Sequence, residues 1–188
     1  MLFAHDTEMA LACAAALVNT DGAVEFSDGE QLPDIASLDR FIDGWGWTGE
    51  RAHDDAELRA VRALRPRLRR IWEVDEDEVV TIVNGLLSEA KALPQLVKHD
   101  EWNYHLHATP PAAPLATRMA VEAAMAVIDV VRSNELSRLR ICASPTCLDV
   151  VVDLSKNRSK RFCEGTCGNR AAVAAYRARK SRAPASQQ

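Results

Sequence analysis

No apolar run in this 188-residue sequence approaches the roughly 18 residues that a membrane-spanning helix requires. The first residues, Met1 to Asp6, lack the basic region and the small-residue cleavage site of a secretory signal peptide. We therefore expect a protein with no membrane partner that resides in the cytoplasm, where thiols stay reduced.

Recognisable catalytic signatures are also missing from the sequence. The zinc-deaminase pattern, which combines His-x-Glu with Pro-Cys-x-x-Cys, is absent. A nuclease built on a small zinc module would need a catalytic histidine, but all five histidines lie before residue 108 and far from the cysteine-rich segment. The sequence therefore favours a binding protein over an enzyme.

Acidic residues are absent after Glu164, and charge is distributed unevenly between the two parts of the chain. The whole chain carries a net charge of −4, with 47% hydrophobic and 27% charged residues, which is ordinary for a soluble globular protein. Residues 138–182 hold eleven Lys or Arg and three Asp or Glu, a balance of +8, so residues 1–137 carry −12. Such asymmetry predicts an anionic partner for the C-terminal part, although attraction between the two halves is an alternative.

Four of the five cysteines fall in the last quarter of the chain. Cys142 and Cys147 form a Cys-x4-Cys pair, and Cys163 and Cys167 form a Cys-x3-Cys pair fifteen residues later. Two close thiol pairs separated by a hairpin-length insert are typical of a structural Zn²⁺ site with four sulfur ligands. We predict one zinc ion per chain, with two disulfides or free thiols as the alternatives. The fifth, Cys13, is interpreted as a small buried apolar residue.

The residues around these cysteines predict a treble-clef zinc finger. Residues 142–147 form a knuckle, residues 149–153 a strand, and residues 155–158 a turn in which Asn157 takes a left-handed conformation. Residues 159–162 return as a second strand. Cys163 and Cys167 are spaced by one helical turn, at the start of an alanine-rich helix that places partial positive charge beside the thiolates.

Basic side chains surround the predicted finger and point to DNA as the partner. Clustered cations suit phosphate contacts, and the alternative is a solvated surface. Asn169 would contact a base edge or, as we favour, the knuckle backbone, and we expect Val173 and Tyr176 to pack inward. The predicted DNA-binding residues are Lys156, Arg158, Lys160, Arg161, Asn169, Arg170 and Arg177.

The upstream part predicts an α+β fold that is mainly helical with a small antiparallel β component. Apolar periodicity indicates helices near residues 6–19, 33–43, 55–72, 75–87 and 115–136, with Pro66 kinking or splitting the third. Residues 23–26 suggest a short strand, and residues 95–99 and 101–109 a hairpin. On that second strand His105 and His107 share a face, which we interpret as exposed rather than as a second metal site.

Several polar residues lie at positions that otherwise look interior, and we predict that they line a ligand pocket. A buried arginine would need an anion, so the ligand would carry a carboxylate or phosphate. The alternative is that Asn19 and Thr20 only end the first helix and that the arginines reach solvent. The candidates are Asn19, Thr20, Arg62, Arg65, Asn84 and Trp102.

The finger segment closely resembles the CGNR zinc finger. The resemblance lies in Cys142-x4-Cys147, in the run Lys160-Arg161-Phe162-Cys163, and in Cys167-Gly168-Asn169-Arg170. This chain departs from the family pattern with Leu148 where glycine is frequent and Phe162 where tryptophan is frequent; neither departure removes a ligand.

The upstream segment resembles the ABATE domain that accompanies this finger. The matching residues are 17–20, 60–65 and 83–87. The resemblance implies a "putative stress-induced transcription regulator": an N-terminal domain, residues 1–137, that binds an unidentified ligand, and a finger, residues 138–180, that binds DNA. We expect a disordered tail over residues 181–188 and a homodimer, because a single finger binds DNA weakly. The alternative is a zinc-stabilised adaptor that docks an acidic protein.

Overall fold

The computed structural model describes residues 3–22, 29–98, 104–163 and 167–182. It is an α+β fold in which helices predominate and two small antiparallel sheets are added, as the sequence predicts. The helices are α1 (His5–Val18), α2 (Ile35–Gly44), α3 (Asp55–Arg69), α4 (Glu76–Glu89), α5 (Leu115–Arg132) and α6 (Cys167–Arg182). The strands are β1 (Gln95–Val97), β2 (His105–His107), β3 (Leu139–Ile141) and β4 (Val150–Val152). Short 3-10 turns follow α3 at Arg70–Trp72 and precede β3 at Leu136–Arg138.

Three of the helices begin at an aspartate that accepts a hydrogen bond from a backbone N–H three residues later. Asp34 forms a complete capping box at the start of α2, and Asp54 and Asp75 cap α3 and α4 with N–H···O distances of 2.8 and 3.0 Å. Such a bond satisfies one of the amide groups that a helix N-terminus leaves without a partner. Local sequence therefore determines where these helices start.

Helix α5 lies at the centre of the molecule, packed by α1, α3 and α4. Its residues Val121, Ala124, Val127 and Val130 are fully buried, and most of its other core positions are also alanine or valine. Small side chains let the neighbouring helices approach closely, so the core forms around this helix. Within the described residues, no helix is long and apolar enough to cross a membrane.

Strands β1 and β2 form a hairpin in which Leu96 pairs with Leu106 and Val97 with His105. Because side chains alternate along a strand, Leu96 and Leu106 occupy one face, and both are exposed. The opposite face carries His105 and His107, which share a face as predicted. The interpretation of that face as exposed is wrong, because both histidines are partly buried.

Strands β3 and β4 flank the cysteine knuckle and join it to the helical core. Leu139, Val150 and Val152 belong to the same apolar cluster as α1 and α5, whereas Val151 packs with the cysteines. Residues 159–162 do not form the predicted return strand, because β4 pairs instead with β3 upstream of the knuckle. The finger and the helical part therefore share one core.

Two local predictions are corrected, and two concern residues outside the described part of the chain. Helix α3 continues through Pro66 without being split, and Pro66 lies on the exposed side of the helix. Helix α5 ends at Arg132, and Asn134 follows with φ of +55°, a left-handed residue of the kind that terminates helices. The strand predicted at residues 23–26 and residues 183–188 of the predicted disordered tail lie outside the described residues, whereas residues 181 and 182 of that tail belong to α6.

Candidate metal centre and neighbouring sites

The four cysteines of the finger come together at one point. The sulfur atoms of Cys142, Cys147, Cys163 and Cys167 all lie within 4.8 Å of one another, and the Cys147 and Cys163 sulfurs are 3.8 Å apart. Sulfurs held about 2.3 Å from a tetrahedral zinc ion would be about 3.8 Å apart, whereas a disulfide needs about 2.05 Å. All four are free thiols in the structure, so the geometry fits a metal and the disulfide alternative is wrong.

Burial and local charge also suit a metal site. Cys142, Cys147 and Cys167 are each less than 8% exposed. Burial raises the pKa of Cys147 to about 12. Burial would also raise the pKa of Cys167, but hydrogen bonds led by Arg170 outweigh it and bring the pKa to about 7. The Arg170 Nη2 donates to the Cys167 sulfur at 3.0 Å, which offsets part of the negative charge of a thiolate site.

Backbone hydrogen bonds fix the two cysteine pairs in position. Cys142 N–H donates to Asp149 O at 2.8 Å, which closes the knuckle at the end of the β3–β4 hairpin. Ala143 N–H donates to Arg161 O at 2.8 Å and brings the Cys163 segment alongside. Cys163 N–H in turn donates to the Cys142 sulfur at 3.5 Å. The four ligands are thus held by local backbone contacts on both sides of the site.

The loop between β4 and Cys163 is organised by Asp153, which is fully buried. One carboxylate oxygen accepts from the Ser155 N–H and hydroxyl, at 3.0 and 2.5 Å, and the other accepts from Lys160 N–H at 3.1 Å. Burial would raise the pKa of Asp153, but the hydrogen bonds from Ser155 and Lys160 and the charge of Arg140 hold it below its usual value. In this loop Arg158, not the predicted Asn157, has the left-handed conformation, with φ of +52°.

Zinc fits this site better than other biological metals, because four thiolates in a tetrahedral arrangement are its typical structural ligand set. Cys142, Cys147, Cys163 and Cys167 would hold it, and the ion would supply cross-linking between the knuckle and the first turn of α6. All four coordination positions would be filled by protein sulfur, which is the arrangement of a structural and not a catalytic site.

The predicted DNA-binding residues divide into two groups. Arg158 donates to Glu135 at 2.7 Å and Arg170 to the Cys167 sulfur, so both side chains support the finger itself. Lys160 is partly buried, with its backbone bound to Asp153. The other members of the set are exposed, as Arg158 and Arg170 also are: Lys156, Arg161, Asn169 and Arg177.

Helix α6 is exposed over all residues from Ala172 to Lys180. Val173 is 48% exposed and Tyr176 is 60% exposed, so the prediction that these two side chains pack inward is wrong. The described residues provide no neighbouring element for that face of the helix. The start of α6, by contrast, is anchored through Cys167 and through Gly168, whose α-carbon faces the Phe162 ring.

The predicted ligand residues do not line one pocket. Asn19 ends α1, and its side-chain amide pairs with the backbone of Val150 through two hydrogen bonds of 2.8 and 2.9 Å. Asn84 is exposed on α4. Trp102 lies outside the described residues. These positions therefore serve different parts of the molecule, and the pocket that we predicted around them is corrected below.

Buried Arg65 finds its anion within the chain. Its guanidinium forms two hydrogen bonds of 2.8 Å with the carboxylate of Glu30 and also contacts the Thr20 backbone and hydroxyl. The hydrogen bond from Arg65 is the main reason that the pKa of Glu30 falls to about 2. Arg62 donates to the carbonyl of Leu32. The anionic ligand that we inferred for a buried arginine is thus replaced by Glu30.

A cavity of about 750 Å³ lies elsewhere, between the first half of α1, the loop after α2, and the β1–β2 hairpin. The cavity was not predicted from the sequence, although two tryptophans in a glycine-rich loop and the His-x-His pattern were visible signals. Its apolar lining includes Met9, Ala10, Cys13, Trp45, Trp47, Leu93, Val97, Pro110 and Pro111, and its polar lining includes Asp6, Lys91, Gln95, His105, His107, Arg118 and Glu122.

Comparison with known families gives two adjacent matches. Residues 11–134 match the ABATE family, described as "Putative stress-induced transcription regulator", and residues 138–180 match the CGNR zinc finger. No curated protein matches the chain. The boundary between the two matches falls at the 3-10 turn before β3. Most of the cavity lining lies in the first match, and the metal centre lies in the second.

Proposed function

We propose that this chain, which belongs to the family of putative stress-induced transcription regulators and carries a CGNR zinc finger, is a DNA-binding regulator whose N-terminal domain senses a small ligand. Neither family is an enzyme family. The observation that carries the DNA-binding part is the exposed, cationic helix α6 that extends from the metal centre.

Helix α6 presents a stripe suited to nucleic acid. Val173, Tyr176, Arg177 and Lys180 follow the spacing of three and four residues that places side chains on one helix face, and all are exposed. Guanidinium and ammonium groups contact phosphates, and an exposed aromatic ring can stack or pack beside a sugar. Lys156 and Arg161 add exposed cations on the finger loop. One short helix contacts few phosphates, so we expect a dimer on DNA.

Helix α1 provides the physical connection for ligand sensing. Its residues Met9, Ala10 and Cys13 line the cavity, and Asn19 at its C-terminal end holds strand β4 of the finger. From Met9 to Asn19 the helix rises about 15 Å, since each residue adds about 1.5 Å. A ligand that displaces the first half of α1 would therefore change the position of β4 and, with it, the finger.

Charge reversal on α6 tests the DNA-binding part. Fluorescence anisotropy with a labelled random duplex, measured over a range of salt concentrations, should show weaker binding of Arg177→Glu and Lys180→Glu. The slope of log affinity against log salt should fall by about one for each lost phosphate contact. Arg59→Glu, an exposed arginine on α3, is the matched control and should bind as the wild type does. Arg158 and Arg170 are unsuitable for this test because they support the finger.

Unchanged affinity and salt slope in both α6 variants would contradict the proposal. A second candidate function, a zinc-stabilised adaptor that binds an acidic protein, is favoured by the exposed Val173 and Tyr176. In that case the wild type would fail to bind random duplex even at low salt, where sequence-independent phosphate contacts are strongest.

A further inference from the structure

We infer that the cavity between α1, the loop after α2 and the β1–β2 hairpin binds an uncharged, planar aromatic compound. The inference rests on the ligand-sensing part of the proposed function, which leaves the site and the class of ligand open. It differs from the anionic ligand that the sequence suggested.

The size and shape of the cavity suit a small organic molecule. Its volume of about 750 Å³ falls within the roughly 300–1,000 Å³ typical of small-molecule sites. The walls come from several separate parts of the chain, among them α1, the loop that carries Trp45 and Trp47, the inner face of the hairpin, and α5 with the connector before it. A cavity assembled from several elements can close around a ligand on several sides.

The two indole rings favour an aromatic ligand. Trp45 and Trp47 are both partly buried and both line the cavity. The Trp47 indole N–H donates to the Cys13 sulfur at 3.3 Å, so the polar edge of that ring has a partner within the protein. Indoles offer large, rigid apolar faces that stack on other planar rings at a low cost in conformational entropy.

The charged groups of the cavity wall balance one another, so a ligand does not need a charge to neutralise them. Asp6 and Glu122 are matched by Lys91 and Arg118, so the formal charges sum to zero. Arg118 is 5% exposed, and its guanidinium donates to the carbonyls of Ala113, Thr48 and Glu50. These bonds tie the loop after α2 and the connector before α5 to the helix. The arginine is thus part of the wall and not a receptor for an anion.

The two histidines on the hairpin wall also contact each other. The Nε2 atoms of His105 and His107 are 2.9 Å apart, so one ring donates and the other must accept through an unprotonated nitrogen. The pair can therefore carry at most one positive charge while this contact exists. Among the described residues the metal-ligating cluster is the cysteine quartet alone, and we assign the imidazoles to the polar part of an organic-ligand site.

Three fluorescent probes test the class of ligand. N-phenyl-1-naphthylamine is uncharged, 1-anilinonaphthalene-8-sulfonate adds a negative charge to the same ring system, and berberine is a planar cation. Each becomes brighter in an apolar site. In titrations of the zinc-loaded full chain we expect the uncharged probe to bind saturably at one site per chain, at least tenfold more tightly than either charged probe. Tighter binding of the anionic or the cationic probe would overturn the proposed ligand class.

Two variants and one matched control locate the site. Ala10→Trp fills the cavity from α1 and should abolish saturable binding of the uncharged probe. Leu93→Glu places a carboxylate at the cavity wall. Because Leu93 is 73% exposed, the protein should still fold. Binding of the uncharged probe should weaken roughly fivefold, because an apolar contact is lost. Leu96→Glu makes the same change three residues away, at a 68% exposed position outside the cavity lining, and should bind as the wild type does.

The outcomes separate this inference from the proposed function. Binding that is unaffected by both Ala10→Trp and Leu93→Glu, or equally weakened by Leu96→Glu, would overturn the assignment of the cavity. If DNA binding by α6 is intact but the uncharged probe does not bind, the ligand inference fails alone. If the probe binds in the cavity but leaves DNA affinity unchanged, the site is established and the sensing part of the proposed function fails.

Discussion

Replacing Asn19 by alanine should destabilise the whole protein by breaking the junction between α1 and the finger. The Asn19 side chain donates from Nδ2 to the Val150 carbonyl at 2.9 Å and accepts the Val150 N–H on Oδ1 at 2.8 Å. The Asn19 side chain therefore pairs with the backbone N–H and carbonyl of Val150 in β4, as a neighbouring strand would. Val150 is only 2% exposed, so water can replace the lost amide only in part.

The magnitude follows from the two backbone groups that would lose their partner. A buried donor or acceptor left without a partner costs about 1–3 kcal/mol, and Asn19 itself is partly exposed, so some water would reach the gap. We expect a loss of about 3 kcal/mol in the free energy of unfolding. For a chain of this size that corresponds to a fall in Tm of roughly 6–12 °C.

Thermal and urea unfolding of the zinc-loaded protein provide the assay. Asn84→Ala is the matched control, because Asn84 is exposed on α4 and its loss should change stability by less than about 0.5 kcal/mol. Asn19→Asp should be at least as harmful as Asn19→Ala, since a carboxylate oxygen would then face the Val150 carbonyl. An Asn19→Ala variant as stable as Asn84→Ala would refute the reasoning.

Three further predictions concern the metal centre and the Arg65 pair. Cys163→Ser should abolish stoichiometric zinc in metal analysis and lower the Tm of the entire chain, because β3 and β4 share the helical core; an unchanged Tm would show that the finger is independent. Gly168→Ala should keep both zinc and stability, because the new Cβ would meet the Phe162 ring at 3.7 Å, an ordinary contact, and loss of zinc would contradict this. The pKa of Glu30 is depressed to about 2 from 4.5, so its pairing with Arg65 stabilises fully above about pH 4.5 and is lost as pH falls toward 2. The difference in Tm between wild type and Glu30→Gln should therefore shrink over that pH range, and a constant difference would argue against the ion pair.

Features of the sequence that act over short distances were predicted correctly. The spacing of the two cysteine pairs predicted a four-sulfur site, and the cluster within 4.8 Å confirms the quartet. The prediction that Cys163 and Cys167 share one helical turn is not confirmed, because α6 begins at Cys167 and Cys163 precedes it. The predicted starts of α2, α3 and α4 lie within two residues of the capping aspartates Asp34, Asp54 and Asp75, because a cap and its amide are only three residues apart. The α+β class followed from apolar periodicity for the same reason.

Features that depend on distant partners could not be read in this way. Asn19 and Arg65 were correctly identified as polar residues in interior surroundings, but the sequence could not tell that Val150, 131 residues away, and Glu30 would satisfy them. A ligand and an internal partner satisfy a buried polar group equally well, so burial alone does not distinguish the two. The buried Arg65 therefore gives no support to an anionic ligand, because Glu30 supplies its negative partner.

The sequence by itself determined the zinc ligands, the helix boundaries set by caps and the cationic character of α6, because each depends on residues within a few positions of one another. The tertiary structure alone decided that β4 pairs with β3, that α6 stands exposed, and that a cavity lies beside Trp45 and Trp47. Those features arise where segments far apart in the chain pack together, and the packing of complementary surfaces leaves no local pattern in the sequence.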